Sequence, residues 1–137
     1  MSDAALRQPT IFVVDDDEFQ RRLAAQILES EGYRVASAPG GSEAIGALAT
    51  AAADLVLLDY LMPGMSGLEV LVRLKSDPRL ETLPVIMITG NGERGVVLDS
   101  QRLGAVDFLV KPFDRQTLLR KIARVLNGRS QKAAARG

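Results

Sequence analysis

Five times along this chain, a short and nearly continuous apolar run is followed by a stretch with helical features. The runs are TIFVVD (10–15), YRVASA (33–38), DLVLLD (54–59), LPVIMIT (83–89) and AVDFLV (105–110). Most are too evenly apolar and too rich in branched residues for strands with one wet face, and they read as strands covered on both sides. The second run is the weakest. Pro84 is tolerable because it sits at the start of its run, where no ladder hydrogen bond is needed.

Four of the five stretches that follow these runs are plainly helical. Phe19, Leu23, Ala24, Ile27 and Leu28 recur at intervals of about three and four, and Gly32 closes that segment. SEAIGALATAAA (42–53) is helical by propensity. Ser66 with Glu69 forms a capping box for a helix whose apolar face is Leu68, Leu71 and Val72, and SDP (76–78) stops it. Asp114 caps a last helix built on Leu118, Leu119, Ile122, Val125 and Leu126, with Gly128 placed just past its end. The stretch 90–104 carries two signals. Asn91-Gly92 fits a hairpin, whereas the length favours a helix over 93–103.

Strands alternating with helices imply right-handed crossovers and a parallel sheet with helices on both faces, an α/β doubly wound fold. With 137 residues, the chain fits one domain. The pattern divides it into an N-terminal extension (1–9), a domain (10–127) and a flexible C-terminal tail (128–137) ending in RSQKAAARG.

Composition narrows the chemistry. Seventeen basic and seventeen acidic side chains cancel, so no overall field attracts nucleic acid or an anionic membrane. No apolar run reaches the roughly 18 residues of a membrane span, and MSDAALRQPT lacks the layout of a signal peptide. With no cysteine, a reducing, cytoplasmic setting is expected. The absence of histidine excludes Ser–His nucleophiles and histidine-ligated zinc within the chain. Any chemistry must therefore rest on carboxylates, hydroxyls, lysines and backbone groups.

In sheets of this kind, ligands sit outside the carboxyl ends of the strands. The first run ends in Asp15 and Asp16, the third in Asp59, the fourth in Thr89-Gly90 and the fifth in Lys111-Pro112. Carboxylates about 4 Å apart repel by roughly 4 kcal/mol at a protein surface, and a divalent cation removes that repulsion. A site of oxygens alone suits magnesium, with manganese as a substitute. A carboxylate can accept a phosphoryl group as a nucleophile, with lysine and hydroxyl steadying the transferred group. Asp17, with Gln20 three residues on, reads instead as the cap or first-turn acid of the first helix.

Taken together, Asp15-Asp16, DYLMPGMSG (59–67), TG (89–90) and KPF (111–113) resemble the receiver domain of bacterial two-component response regulators, in the superfamily of the chemotaxis regulators. The resemblance implies a flavodoxin-like (βα)5 fold with strand order 2-1-3-4-5. It implies that Asp59 is the phosphoacceptor and that Asp16 ligates magnesium directly, joined by Asp59 and the Leu61 backbone carbonyl, with Asp15 acting mainly through water. Thr89 and Lys111 match the switch hydroxyl and the phosphoryl-binding lysine, Phe108 matches the switch aromatic, and Lys111-Pro112 matches a bond commonly cis. Three positions depart from the commonest forms. Ser66 replaces aspartate but still caps its helix, Gly90 replaces alanine and leaves phosphoryl access open, and Phe108 lacks a tyrosine hydroxyl.

The function expected is a signalling switch rather than an enzyme. Its donor would be a phosphohistidine on a sensor histidine kinase or a histidine phosphotransfer protein, which must be separate because this chain has no histidine. A downstream effector protein, and a phosphorylation-linked homodimer, are the expected partners on the output side, with no direct contact to nucleic acid or membrane. Three rivals stand beside this reading. A phosphatase would need a second acid two residues after Asp59, where Leu61 stands. An interaction module would keep the fold and dispense with phosphate. MITGNGE and GAVDFLVKPF also resemble receivers that precede a helix-turn-helix unit, as in a longer transcription regulator.

Overall fold

A computed structural model describes residues 8–90 and 93–136. Its five strands are β1 (Thr10–Val14), β2 (Arg34–Ala38), β3 (Leu55–Asp59), β4 (Val85–Gly90) and β5 (Asp107–Lys111). All pair in parallel, in the order β2-β1-β3-β4-β5. The helices between and after them are α1 (Glu18–Ser30), α2 (Gly41–Leu48), α3 (Gly67–Ser76), α4 (Arg94–Arg102) and α5 (Arg115–Arg136). Chain order reverses direction across the sheet at β1 and β3, which makes their carboxyl ends the switch point where such folds bind ligands.

Strand parity sorts the core into two layers. Phe12, Val14, Val56, Leu58, Val85 and Met87 face α2 and α3 through Ala44, Leu48, Val70, Leu71 and Leu74, and Val96 of α4 packs on the same layer. Their neighbours Ile11, Val13, Leu55, Leu57, Ile86, Ile88 and Leu109 face α1 and α5 through Leu28, Leu118 and Ile122. Successive strand residues point to opposite faces, so an unbroken apolar run is what a sheet covered twice requires. None of the helices among the described residues is long and apolar enough to cross a membrane.

Several caps stand where the sequence places them. Asp17 accepts from the Gln20 N–H at 3.0 Å, Ser66 from Glu69 at 3.3 Å and Asp114 from Thr117 at 2.7 Å. Gly32 closes α1 with φ +91°, a conformation that a Cβ disfavours.

Some boundaries move. β4 begins at Val85 because the Leu83 N–H turns back to the Leu80 carbonyl at 3.0 Å. β5 begins at Asp107 because Ala105 closes the end of α4, its N–H donating to Ser100 O at 2.8 Å. SEAIGALATAAA is helical only as far as Leu48. Gly128 does not end the last helix. It lacks the positive φ of a helix-terminating glycine, and α5 continues through it to Arg136. The Asn91-Gly92 hairpin signal lies outside the described residues, but β4 and β5 on either side of α4 pair in parallel, so no hairpin joins them.

Candidate functional site

The carboxyl edge gathers the acidic ends of β1 and β3 with Gly90 and Lys111 into one recess of about 600 Å³. Asp15, Asp16, Asp59, Leu61, Gly90 and Lys111 all line it. Asp15 and Asp59 are buried, at 6% and 5% exposure, while Asp16 stands on the exposed rim. One carboxylate oxygen from each of the three lies within 4.8 Å of the others. The Lys111 ammonium sits 3.3 Å from Asp59 Oδ1 and 3.8 Å from Asp15 Oδ2. The Lys111–Pro112 peptide is cis.

Local hydrogen bonds fix the acids in different roles. The Asp17 N–H donates to Asp15 Oδ1 at 2.9 Å, and the Arg21 guanidinium donates to the Asp15 carbonyl at 2.8 Å. Asp17 also borders the recess, but its carboxylate caps α1. Asp59 is held at the end of a wholly buried strand, and burial, with Asp15 adding to it, pushes its carboxyl up from 3.8 to about 6. Lys111 opposes that rise and Asp16 adds slightly to it. One lysine therefore leaves the charge of this recess incompletely balanced.

The turn after Asp59 depends on close backbone approach. The Gly67 N–H donates to the Tyr60 carbonyl at 2.9 Å. A Cβ on Gly67 would lie 2.6 Å from the Asp59 carbonyl oxygen and 2.7 Å from Tyr60 Cα. Neither backbone atom can yield without moving the acceptor loop. Gly67→Ala is thus expected to cost about 1–3 kcal/mol in a denaturant melt, as overpacking does. An unchanged midpoint would show that the loop has slack.

Thr89 is 1% exposed, and its hydroxyl has no hydrogen-bond partner among the described residues. It shares a second cavity of about 540 Å³ with Phe108, Val97, Leu98 and Val110. Phe108 is half-buried there, with the Lys121 ammonium 4.6 Å from its ring centroid. Lys121 also donates to the Phe108 carbonyl and pairs with Asp107 at 3.0 Å. The sequence gives no sign of this clamp, because it joins a strand to a helix through residues that look like ordinary surface charge. The Leu61 side chain, 71% exposed, points outward at the rim.

The family model of the response regulator receiver domain matches residues 11–123. The chain belongs to this family. The receiver is 38% identical over 118 residues to the phosphate regulon transcriptional regulatory protein PhoB of Rhizobium meliloti, covering 86% of this chain and 52% of that protein. It is 34% identical over 116 residues to the chemotaxis protein CheY of Pseudomonas aeruginosa, covering 84% of this chain and 94% of that one. Among solved structures, chemotaxis protein CheY4 of Vibrio cholerae superposes with a TM-score of 0.83 at 30% identity, covering 88% of this chain and all of that one. The chain spans about half the length of the phosphate-regulon regulators it matches. Receiver domains are regulatory signalling domains of two-component systems, with a flavodoxin-like fold, and this chain is one of them.

Proposed function

We propose that Asp59 accepts a phosphoryl group from a phosphohistidine on a separate cytoplasmic kinase or phosphotransfer protein, and that the receiver passes the change to an effector. One observation carries the reading: Lys111 Nζ lies 3.3 Å from Asp59 Oδ1 in a recess whose other charged walls are carboxylates. The Asp59 carboxylate attacks phosphorus, the P–N bond to the donor breaks, and the imidazole leaves with the electron pair. Lys111 is a compact cation placed to take a phosphoryl oxygen. Leu61 offers no second acid to the recess, which argues against turnover on outside phosphoesters.

The donor set fits a hard divalent cation. Three carboxylate oxygens within 4.8 Å of one another face a single lysine, and Asp59 is held above its ordinary pKa. Asp16, Asp59 and the Leu61 carbonyl would hold magnesium directly, with Asp15 acting through water. Bound there, the metal would neutralise charge on the acceptor and on the incoming phosphoryl group.

Phosphorylation adds about −1.5 to −2 charge at Asp59. The Thr89 hydroxyl is a buried donor without a partner among the described residues, and moving it toward the phosphoryl group would empty space beside Phe108. Ring and clamp would then repack the surface of α4, β5 and α5, shifting the population toward an effector-binding form or a homodimer.

Acetyl phosphate with magnesium should give one phosphoryl adduct by intact mass, and none when the metal is chelated. No adduct at any donor concentration would refute the reading.

A further inference from the structure

The space left by Gly90 is occupied. Glu93 folds back so that its Oε1 lies 3.2 Å, and its Cδ 3.7 Å, from where a Cβ on Gly90 would stand. The Glu93 carboxylate thus takes up the room that a side chain at position 90 would fill. Glu93 is the N-cap residue of α4, yet its side chain makes no capping hydrogen bond. Its Oε2 is shut off from solvent without a hydrogen-bond partner among the described residues. Helix capping thus does not account for where this side chain lies.

Its position is what matters. Gly90 and Glu93 line both the acidic recess and the Thr89–Phe108 cavity, so the Glu93 carboxylate stands in the wall between them. Asp59 lines the first of these cavities and Thr89 the second, so Glu93 borders the space that a phosphoryl group on Asp59 would share. A fixed negative charge there opposes any anion that enters by diffusion alone. A donor docked through a protein surface gains binding energy elsewhere and can meet the same repulsion.

We infer that Glu93 is a donor-selectivity residue, which disfavours phosphoryl transfer to Asp59 from small, freely diffusing acyl phosphates. The inference rests on Asp59 being the acceptor. In the step concerned, the bond from phosphorus to the acetyl oxygen of acetyl phosphate breaks, the Asp59 Oδ–P bond forms, and acetate leaves with the electron pair. Glu93 takes no part in the bond changes; its charge sets how readily the dianionic donor arrives.

The test compares wild type with Glu93→Gln, which keeps the shape and removes the charge. Rates of adduct formation from acetyl phosphate are read by intact mass at saturating magnesium, at low and at high ionic strength. Glu93→Gln should react about threefold to tenfold faster at low salt. The gap should close near 1 M salt, where the screening length falls to about 3 Å. Metal-induced thermal shifts of the two proteins should coincide, which separates a charge effect on the donor from one on the metal. Equal rates, or a gap indifferent to salt, would overturn the inference alone. Absence of adduct in both proteins would overturn the acceptor reading and this inference with it.

Discussion

Asp59→Asn is expected to take up no phosphoryl group from any donor and to be more stable than the wild-type chain in metal-free buffer at neutral pH. The first effect is the loss of the nucleophile, and it is all or none by intact mass. The second follows from the cost of a carboxylate at the buried end of β3, beside Asp15, with Lys111 only partly compensating. Asp59 binds its proton more tightly in the folded protein, at about 6, than the ordinary 3.8 of an unfolded chain. The ionised form therefore destabilises the fold. That penalty is fully present above about pH 6, shrinks as pH falls through the folded value, and is gone below the unfolded one. Allowing for solvent screening from the open side of the recess, Asn should gain about 1–2 kcal/mol at neutral pH. The advantage should fade by about pH 4, where both proteins are neutral at this position.

Urea melts at the two pH values read the difference directly. Magnesium should narrow it, because a ligand that binds only the folded wild type adds stability by mass action. A neutral-pH melt in which Asp59→Asn is the weaker protein would mean that Lys111 already compensates the carboxylate in full.

Much of this molecule is legible in its sequence because burial on both faces leaves a crude signal. Ile11 and Val13 serve one layer and Phe12 and Val14 the other, so the run shows no alternation and can only be a central strand. The polar residues that end such runs are then forced to one edge, which is why the sequence alone puts Asp15, Asp59, Thr89 and Lys111 on the same edge of the sheet. Ends of elements were less legible. Leu83 and Ala105 are apolar, as strand residues are, yet backbone turns keep them out of β4 and β5, while the Val106 N–H bonds to the Val85 carbonyl at the margin of the sheet. Gly128 carries the composition of a helix stop without the backbone angle of one. Glu93 was invisible because its role depends on its side chain folding back to 3.2 Å from the Cβ position of Gly90. No periodicity encodes that position.

The same contrast between legible and hidden roles makes the acidic run after β1 a sharp test. Asp16→Ala and Asp17→Ala remove neighbouring carboxylates and should act in opposite senses. Asp16 is exposed, and its charge pushes the Asp59 carboxyl upward, so its removal should leave the metal-free protein at least as stable as wild type. On the proposed assignment it is also a direct ligand. Losing one of two carboxylate ligands should weaken magnesium by roughly tenfold or more, since the metal relies on only one or two protein carboxylates. Asp17 holds the free Gln20 N–H at the start of α1 and only its backbone reaches Asp15. Asp17→Ala should therefore cost about 1 kcal/mol in the presence or absence of metal, as the loss of an N-cap does. Its magnesium affinity and phosphoryl uptake should stay near those of wild type. Denaturant melts with and without magnesium give both readouts from one experiment. If Asp17→Ala abolished the metal-induced gain while Asp16→Ala kept it, the ligand and the cap would have to be exchanged, and the backbone bond from Asp17 to Asp15 would be the first contact to re-examine.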